Sequence, residues 1–144
     1  MEYGEVIMKR CIKEIDLQFN GDDRGNLVVI EGSKHIPFDI KRMFYIYGVN
    51  DDKSRGNHAN IDSEFVMVAL SGSVKVSIDD GKEKYECILN NPKKGLYLPK
   101  LTWKSMSEFS DNAILLVIAN THYNKEEYIN NYDEFIDYVN TRGK

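Results

Sequence analysis

The apolar positions of this 144-residue chain fall mostly in short runs that alternate with polar positions or are rich in β-branched and aromatic residues. Runs of this kind, separated by turn residues at short intervals, are typical of the strands of a sandwich or barrel. They predict strands at about residues 6–12, 27–31, 41–48, 65–70, 73–79, 83–89, 95–98, 102–108 and 113–119. The predicted fold class is therefore all-β.

Turn-forming residues lie between the predicted strands and support this division. Glycine, proline, asparagine and aspartate supply the positive or fixed φ angles that tight turns need. They cluster at residues 20–23, 48–52, 71–72, 79–81 and 90–92. The dipeptide Asp80-Gly81 between two alternating runs predicts a β-hairpin.

The last part of the chain has a helical period. Asn124 and Glu127 resemble a capping pair at a helix start, because a side-chain acceptor is followed three residues later by a glutamate. Apolar residues then recur at helical spacing, at Tyr128, Ile129, Tyr132, Phe135, Ile136 and Val139. One amphipathic C-terminal helix is predicted at about residues 125–140, with its aromatic stripe as core or interface material.

Length and composition predict one domain over residues 1–144, since a chain of this size buries roughly two thirds of its unfolded surface. The net charge of -4, with both signs interspersed, offers no basic field for nucleic acid and no patch for anionic lipid. The N-terminal residues are acidic, and the longest apolar run, 113–119, is too short to cross a bilayer. A cytoplasmic location is expected, with Cys11 and Cys87 as structural thiols.

The region from residue 56 to residue 104 resembles the two-motif frame of cupin barrels. That frame runs Gly, His-x-His, Glu and Gly in its first motif, and Gly, Pro and a further His in its second. The matching residues here are Gly56, His58, Asn60, Glu64, Gly72, Gly95, Pro99 and Lys104. The resemblance implies a cupin, or jelly-roll, β-barrel with one C-terminal α-helix.

In metal-binding cupins three histidines and one glutamate meet at a divalent ion, and this chain departs from that set. Asn60 and Lys104 stand at two of the ligand positions. A lysine ammonium has no lone pair to donate, and it repels a cation. We therefore expect no bound metal and no other cofactor.

The remaining groups suit proton transfer beside a carbonyl. The His58 imidazole titrates near neutral pH, and Lys104 or Asn60 can stabilise an oxyanion as it develops. A simpler interpretation of His58, as a hydrogen-bonded histidine at a strand end, stays open. Glu64 belongs either to the site or to a solvated strand end. Two further histidines are expected at the surface, His35 and His122.

The predicted strand at 41–48 carries groups that suit a phosphate-bearing ligand. Alternation places Arg42 and Phe44 on one face, and Lys41 and Tyr45 on the other. An arginine can hold a phosphate through two hydrogen bonds, and an aromatic ring offers a stacking face for a base. Two more arginines lie close to glycines in predicted loops, Arg24 and Arg55. A solvated arginine remains the alternative at each position.

Five stretches, taken together, resemble the 3,4-ketoisomerases of nucleotide-linked deoxysugars. They read IPFDIKRMFYI at 36–46, RGNHAN at 55–60, GLYLP at 95–99, WKSM at 103–106 and YINNYD at 128–133. The resemblance implies a metal-independent isomerase that moves the carbonyl of dTDP-4-keto-6-deoxyglucose from C4 to C3. Its product would supply a 3-amino sugar for surface polysaccharide such as lipopolysaccharide O-antigen. A homodimer that exchanges N-terminal strands, here at about residues 6–12, is also implied.

On this resemblance His58 takes the position of the catalytic histidine, with Lys104 and Asn60 as further catalytic candidates. The candidate substrate contacts are Arg24, Arg42, Phe44, Tyr45, Arg55, Glu64 and Trp103. The family usually has a second histidine where Asn60 stands, a glutamine at Phe65 and a histidine or arginine at Lys104. Losing the second imidazole leaves His58 as the base, with Lys104 holding the enediolate. Arg24 and Lys104 are candidates for setting the face on which C4 is protonated.

Three alternatives remain open. A 3,5-epimerase acts on the same substrate class and also begins with proton removal beside the C4 ketone. A cupin that binds a nucleotide sugar without turning it over is the non-enzymatic alternative, and the missing second histidine is its best support. Metal-dependent oxygenase chemistry would return only with stoichiometric iron.

Overall fold

A computed structural model describes residues 4–9, 12–50 and 52–142, the first range by its backbone alone. Within these residues the strands are, in chain order, β1 (Gly4–Lys9), β2 (Ile12–Asp16), β3 (Gln18–Asp22), β4 (Gly25–Val29), β5 (Arg42–Tyr47), β6 (Arg55–Asn60), β7 (Phe65–Ser71), β8 (Val74–Asp79), β9 (Lys84–Leu89), β10 (Lys94–Leu98), β11 (Trp103–Ser107), β12 (Ile114–Ala119) and β13 (Tyr128–Ile129). A one-turn 3-10 helix, Lys125–Glu127, precedes β13, and the helix α1 spans Tyr132–Thr141.

Two antiparallel sheets face each other. One has the strand order β1-β2-β10-β7-β12-β5 and the other β13-β6-β11-β8-β9. Strands that are distant in sequence lie side by side, as β7 does between β10 and β12, which is the arrangement of a jelly roll. Strands β3 and β4 form a separate hairpin. The predicted all-β class with one C-terminal α-helix is confirmed.

The core lies between the two sheets and follows the period of two that strands impose. Met67 of β7 and Val117 of β12 face Val76 of β8 within one cluster of buried side chains. Burying each such side chain contributes roughly 1.5–3 kcal/mol, so this cluster holds the sheets together. Phe65 and Met106 belong to the same cluster and also line a cavity between the sheets.

The outer face of the six-stranded sheet is buried as well, because the segment between β4 and β5 packs over it. Ile36 and Phe38 of that segment join Val66 and Val68 of β7 in a second apolar cluster. The first five residues of β7 are accordingly all buried. A strand covered on both faces reads as a continuous apolar run, which is how residues 65–70 appear in the sequence.

His35 is buried in the covering segment, so its predicted surface position is wrong. Its Nδ1 accepts a hydrogen bond of 2.8 Å from the Glu31 backbone N–H, and its Nε2 lies 3.1 Å from Gln18 Oε1. Both ring nitrogens thus have polar partners, which is the condition for burying an imidazole. Because Gln18 belongs to β3, this histidine ties the β3–β4 hairpin to the covering segment. His122 is exposed, as predicted.

The C-terminal helix begins later than predicted. The Asn124 side chain caps a single 3-10 turn by accepting from the Glu126 backbone N–H. The chain then extends as β13 and pairs with β6. Asn131 provides the true N-cap, accepting from the Glu134 backbone N–H at 3.0 Å. The pairing of Tyr128 with β6 outweighs the helical spacing, so the predicted start near residue 125 is corrected to Tyr132.

Most predicted strands are present, with three corrections. Residues 6–12 span parts of two strands, because β1 and β2 pair as a hairpin; residues 10 and 11 lie outside the described part of the chain. The turn predicted at 20–23 starts later, since β3 continues to Asp22. Strand β6 was not predicted at all, nor were β3 and β13. Nothing in the described chain forms a helix long and apolar enough to cross a membrane.

The structure describes only one of the two cysteines, Cys87. Cys87 is a half-buried free thiol in β9, packed against the core between the sheets. Burial raises its pKa to about 11, so the thiol is protonated and inert at neutral pH. The structural interpretation of Cys87 therefore agrees with its surroundings, whereas Cys11 lies outside the described residues.

Candidate active site

A cavity of about 230 Å³ opens between the sheets. Its polar wall is formed by His58 and Arg55 of β6 and Lys104 of β11. Phe44 of β5 and Tyr128 of β13 are among the residues that complete it. Sites for drug-sized ligands usually measure roughly 300–1,000 Å³, so this cavity admits one sugar-sized group rather than a whole nucleotide sugar.

A β-bulge in β6 brings His58 to the cavity. Gly56 and Asn57 both have positive φ, 86° and 60°. In the pairing with β11, His58 is opposite Lys104 while Gly56 is already opposite Ser105, so Asn57 is the extra residue. A Cβ atom on Gly56 would lie 3.0 Å from the Lys104 carbonyl oxygen. Glycine is therefore required where the two strands approach, and the bulge directs the following histidine inward.

His58 and Lys104 share the cavity as a neutral base and a buried cation. Burial, followed by the nearby Lys104 charge, lowers the pKa of His58 to about 4. Burial also lowers the pKa of Lys104 to about 7, although the Glu127 carboxylate acts in the opposite direction. Hydrogen bonds to the Gly56 backbone and the Asn60 side chain act in the opposite direction on His58 but do not outweigh burial. At neutral pH His58 is therefore uncharged, with a lone pair on one ring nitrogen, while a large fraction of Lys104 still carries its proton.

Asn60 connects this lysine to a carboxylate. The Asn60 Oδ1 accepts a hydrogen bond of 3.1 Å from Lys104 Nζ, and its Nδ2 donates one of 3.1 Å to Glu127 Oε2. Lys104 Nζ also donates to the Thr102 carbonyl oxygen at 3.2 Å and lies 4.9 Å from the centroid of the Phe65 ring. Asn60 thus lies behind Lys104 and does not itself line the cavity.

The sequence does not single out Glu127 as a site residue, because Asn124 and Glu127 have the spacing of a helix cap. The side chain is buried, and its Oε1 accepts from the backbone N–H groups of Asp62 at 2.8 Å and Ser63 at 2.9 Å. Burial alone would raise the pKa of Glu127, but hydrogen bonds from Ser63, Asp62 and Asn60 outweigh it and hold the pKa below its usual value. The one sequence signal was its place directly before the motif at 128–133.

Arg42 lies beside the cavity between two aromatic rings. Its guanidinium carbon is 5.8 Å from the centroid of Phe44 and 5.7 Å from that of Tyr123. The Nε and Nη2 atoms are buried, and neither has a hydrogen-bond partner in the described part of the chain. A buried N–H without an acceptor is costly, so this guanidinium is suited to an anionic ligand that supplies acceptors.

The alternation predicted for β5 is correct. Phe44 faces the cavity, whereas Tyr45 faces outward, is 64% exposed and stacks on Tyr47 with 6.2 Å between ring centroids. Tyr45 instead lines an open, polar groove of about 510 Å³. Arg55 lines both the groove and the cavity. The two spaces therefore meet at Arg55.

Three further predicted contacts line neither the cavity nor the groove beside it. Trp103 points to the opposite face of β11, where it packs on Tyr132 and Phe135 of α1 at centroid distances of 5.4 and 5.8 Å. Adjacent residues of a strand face opposite ways, so Trp103 and Lys104 cannot share one cavity. Trp103 therefore does not line the cavity that holds Lys104, and its predicted substrate contact stays a prediction.

Glu64 and Arg24 have other partners. Glu64 accepts hydrogen bonds from the Tyr97 hydroxyl at 2.5 Å and the Asn120 amide at 2.9 Å, so it is neither in the cavity nor a freely solvated strand end. Arg24 lies at the exposed turn of the β3–β4 hairpin and pairs with Asp22 at 2.6 Å. In the described residues no three His, Cys, Asp or Glu side chains come close enough to hold a metal ion.

Comparison with known proteins decides the family. The model of the FdtA family, described as WxcM-like, C-terminal, matches residues 10–140. The chain belongs to this family. A curated relative, the TDP-4-oxo-6-deoxy-alpha-D-glucose-3,4-oxoisomerase of Aneurinibacillus thermoaerophilus, is 42% identical over 118 residues, which are 82% of this chain and 85% of that protein. The resemblance to the 3,4-ketoisomerases is thereby confirmed.

Solved structures of the family agree. WlaRA, a TDP-fucose-3,4-ketoisomerase from Campylobacter jejuni, is 43% identical with a TM-score of 0.88, covering 94% of this chain and 100% of that one. QdtA from Thermoanaerobacterium thermosaccharolyticum, solved as a His-to-Asn mutant in complex with TDP-4-keto-6-deoxyglucose, is 38% identical with a TM-score of 0.90, covering 94% and 98%. The proteins that this FdtA-family chain resembles are thus isomerases of TDP-linked sugars.

A 3,5-epimerase shares only the fold. The dTDP-4-dehydrorhamnose 3,5-epimerase of Bacillus anthracis is 14% identical with a TM-score of 0.74, covering 87% of this chain and 82% of that one. Identity at this level carries no argument about the reaction. The comparison therefore does not favour the epimerase alternative over ketoisomerisation.

Proposed function

We propose that this protein is a sugar 3,4-ketoisomerase that converts dTDP-4-keto-6-deoxyglucose to a dTDP-3-keto-6-deoxyhexose. The observation that carries the proposal is the pairing of a neutral His58 with a buried Lys104 in one sugar-sized cavity. Ketoisomerisation needs a base next to a group that stabilises an oxyanion, and this pair supplies both. Membership of the FdtA family supports the same reaction.

The reaction follows from the acidity of the C3 proton, which lies beside the C4 ketone. His58 removes this proton, and the electron pair of the broken C–H bond forms the C3–C4 double bond of an enediolate. The Lys104 ammonium stabilises the negative charge that develops on O4. The C3 hydroxyl proton then passes to O4, and one proton is added at C4 for the one that was removed from C3. The product has a C3 ketone and a C4 hydroxyl, so no atom is gained or lost overall.

Arg42 and Arg55 are proposed to hold the diphosphate. The unpartnered Nε and Nη2 atoms of Arg42 would find acceptors on phosphate oxygens, which removes the cost of burying them. Arg55 joins the cavity to the outer groove, where Tyr45 offers an exposed ring to the base. Phe44 packs beside the Arg42 guanidinium and completes this side of the cavity.

Lys104 is the candidate for setting the face on which C4 is protonated, because it lines the cavity as the cross-strand neighbour of His58 in the β6–β11 pairing. Asn60 supports it from behind. Arg24, Glu64 and Trp103 have no place in this cavity and are left out of the proposed machinery.

The test is a product assay by NMR in D₂O with purified protein and a chelator. We expect conversion of dTDP-4-keto-6-deoxyglucose to its 3-keto isomer with deuterium at C4. Deuterium at C5 would indicate a 3,5-epimerase instead, and binding with neither conversion nor exchange would indicate a non-catalytic nucleotide-sugar-binding cupin. Conversion that stops with the chelator and returns with a metal would contradict the metal-independent mechanism.

We further propose that the protein is a cytoplasmic homodimer whose product feeds 3-amino-deoxysugar synthesis for surface polysaccharide such as O-antigen. The outer face of the edge strand β5 supports a dimer, because Met43 and Tyr47 are 61% and 70% exposed there. Strand β1 pairs with β2 of its own chain, so strand exchange stays a prediction. Loss of the 3-amino sugar from polysaccharide in a deletion strain would test the pathway, and cell fractionation the location.

A further inference from the structure

Both oxygens of the Glu127 carboxylate accept hydrogen bonds from the protein, although Glu127 does not line the cavity. Both oxygens accept hydrogen bonds, Oε1 from two backbone N–H groups and Oε2 from Asn60 Nδ2 and the Ser63 hydroxyl. The side chain is only 3% exposed. A carboxylate held by this many donors stays ionised, so a fixed negative charge lies behind the wall of the cavity.

The Asn60 amide connects the Glu127 carboxylate to Lys104 through two hydrogen bonds and thereby orients the lysine. An ammonium only donates hydrogen bonds and a carboxylate only accepts them, so a side chain between the two must present an acceptor to one and a donor to the other. Asn60 does this, with Oδ1 toward Lys104 and Nδ2 toward Glu127. Glu127 therefore fixes which way the amide points, and the amide fixes the acceptor that Lys104 meets.

Several elements pack around Lys104, and most of the side chains that they place beside it are apolar. The hydrogen bond to Asn60, and through it to Glu127, is therefore the main polar side-chain contact of Lys104. The titratable groups among them are His58 of β6 and Glu127 before β13. Strand β8 places Ile78 opposite Lys104, and the start of β7 places the Phe65 ring beside Nζ. No other carboxylate of the described chain acts on this lysine.

We propose that Glu127 is a positioning residue for the isomerase, acting through Asn60 to hold the Lys104 ammonium charged and aimed at the substrate. This inference rests on the proposed function, since it assigns a role within that same site. With two of its hydrogens directed to Asn60 and Thr102, Nζ keeps the third for a ligand oxygen in the cavity. Without Glu127 the amide is free to turn its NH₂ toward the ammonium, and Lys104 loses both acceptor and counter-charge.

A purely structural role for Glu127 must be separated from this one, because its Oε1 also holds the backbone of residues 62–63. Glu127→Gln keeps an oxygen for those amides and removes the charge. Glu126→Gln is the matched control, since this neighbour in the same 3-10 turn is exposed and its side chain makes no contact with Asn60 or Lys104. A structural defect alone would lower stability without changing how Lys104 titrates.

The experiment is an NMR titration of protein labelled with ¹³C at the lysine Cε atoms, with Lys104→Met used to identify the Lys104 signal. The wild type and Glu126→Gln are expected to titrate with a midpoint near 7. Glu127→Gln is expected to titrate about one pH unit lower, because the ammonium has lost its counter-charge. A wild-type midpoint in Glu127→Gln overturns the proposal. The readout needs no turnover, so it remains informative if the proposed reaction is wrong.

A second variant covers the case in which Glu127→Gln does not fold. Asn60→Leu has a similar size, leaves Glu127 and its backbone partners in place, and breaks the connection; its Lys104 midpoint is also expected to fall. An unchanged midpoint in Asn60→Leu contradicts the proposal.

A double-mutant comparison tests the same connection through activity. Glu127→Gln should lower kcat about 10-fold or more in the wild-type background, and it should lower kcat no further in a Lys104→Met background. A further tenfold loss there would show that Glu127 acts independently of Lys104.

Discussion

At the scale of single residues, the site depends on two basic groups whose protonation is disfavoured mainly by burial, and the charge of Lys104 further disfavours protonation of His58. His58 is half-buried beside Lys104, and both have pKa values well below those of the free side chains, about 4 and about 7. The histidine is therefore a base over most of the physiological range. The lysine is an acid only while it keeps its proton, so the two pKa values bound the pH range in which both groups are in their active forms.

The pH profile of kcat/KM is expected to be bell-shaped as a result. It should rise as His58 loses its proton through about pH 4 and fall as Lys104 loses its proton through about pH 7. Bound substrate adds negative charge near Lys104, so the alkaline limb of kcat should lie at higher pH than that of kcat/KM. Lys104→Met should remove the alkaline limb and lower kcat by about 10²–10³. Steady-state kinetics across the pH range measures this, and an alkaline limb that survives in Lys104→Met would contradict it.

Arg42 yields a binding prediction that does not depend on turnover. Because two of its buried N–H groups await acceptors, Arg42→Gln should weaken binding of TDP by about 10-fold or more, since a charge-assisted hydrogen bond is worth roughly 1.5–3 kcal/mol. Calorimetric titration with TDP measures this. Arg142→Gln is the control, because that arginine is exposed at the end of α1 over Tyr138. Equal TDP affinity in the two variants would exclude Arg42 from the diphosphate site.

The sequence identifies several residues of the cavity but does not show which of them hydrogen-bond to one another. His58 and Lys104 stand out in the sequence because a motif frame surrounds them, and both line the cavity. Glu127 could not be found, since a buried carboxylate and a helix-capping one look alike until β13 is paired with β6. Trp103 and Lys104 are adjacent in β11 and therefore face opposite ways, so only Lys104 lines the cavity.

At the scale of elements, the bulge in β6 is the feature that brings His58 to the cavity. Residues 55–60 contain glycine and asparagine and have no apolar alternation, so no strand was predicted there. Tertiary pairing with β11 makes the strand, and the positive φ angles at Gly56 and Asn57 are the cost of turning His58 inward. Strain of this kind is concentrated where a site needs it.

Gly56→Ala tests the bulge. The added Cβ would meet the Lys104 carbonyl oxygen at 3.0 Å in a backbone conformation that alanine rarely adopts, so we expect a loss of about 1–3 kcal/mol of unfolding free energy and at least a tenfold loss of kcat. Gly48→Ala is the control: its φ is also positive, but its Cβ would meet no atom within 4 Å. Denaturant unfolding and steady-state kinetics measure both variants. Equal effects on kcat would show that the bulge has no special role in aligning His58 and Lys104.

At the scale of the whole molecule, the alternation of apolar and polar residues predicts most strands but not which strands pair with each other. The burial of both faces of β7 is visible as an apolar run, whereas its place between β10 and β12 depends on contacts far apart in sequence. The helical spacing from Tyr128 onward misled for a related reason, because a short strand and a helix turn can both bury the same residues. Tertiary pairing decided between them.

The proposed dimer is a prediction at this scale. A chain of 16.6 kDa should elute with twice that mass in size-exclusion chromatography with light scattering. Placing charge on the exposed face of β5, as in Met43→Lys, should shift the mass toward the monomer if that face is covered by the partner. A wild-type mass of one chain at micromolar concentration would contradict the dimer.

The central claim is that His58 removes the C3 proton of a TDP-linked 4-keto sugar, and one measurement tests it most directly. Wild type, His58→Gln and His122→Gln are incubated with dTDP-4-keto-6-deoxyglucose in D₂O, and the 3-keto product and its deuterium are followed by NMR. The exposed His122 is the control. We predict product and deuterium with wild type and His122→Gln, and at least a thousandfold slower appearance of both with His58→Gln. Conversion by His58→Gln at the wild-type rate would contradict the claim.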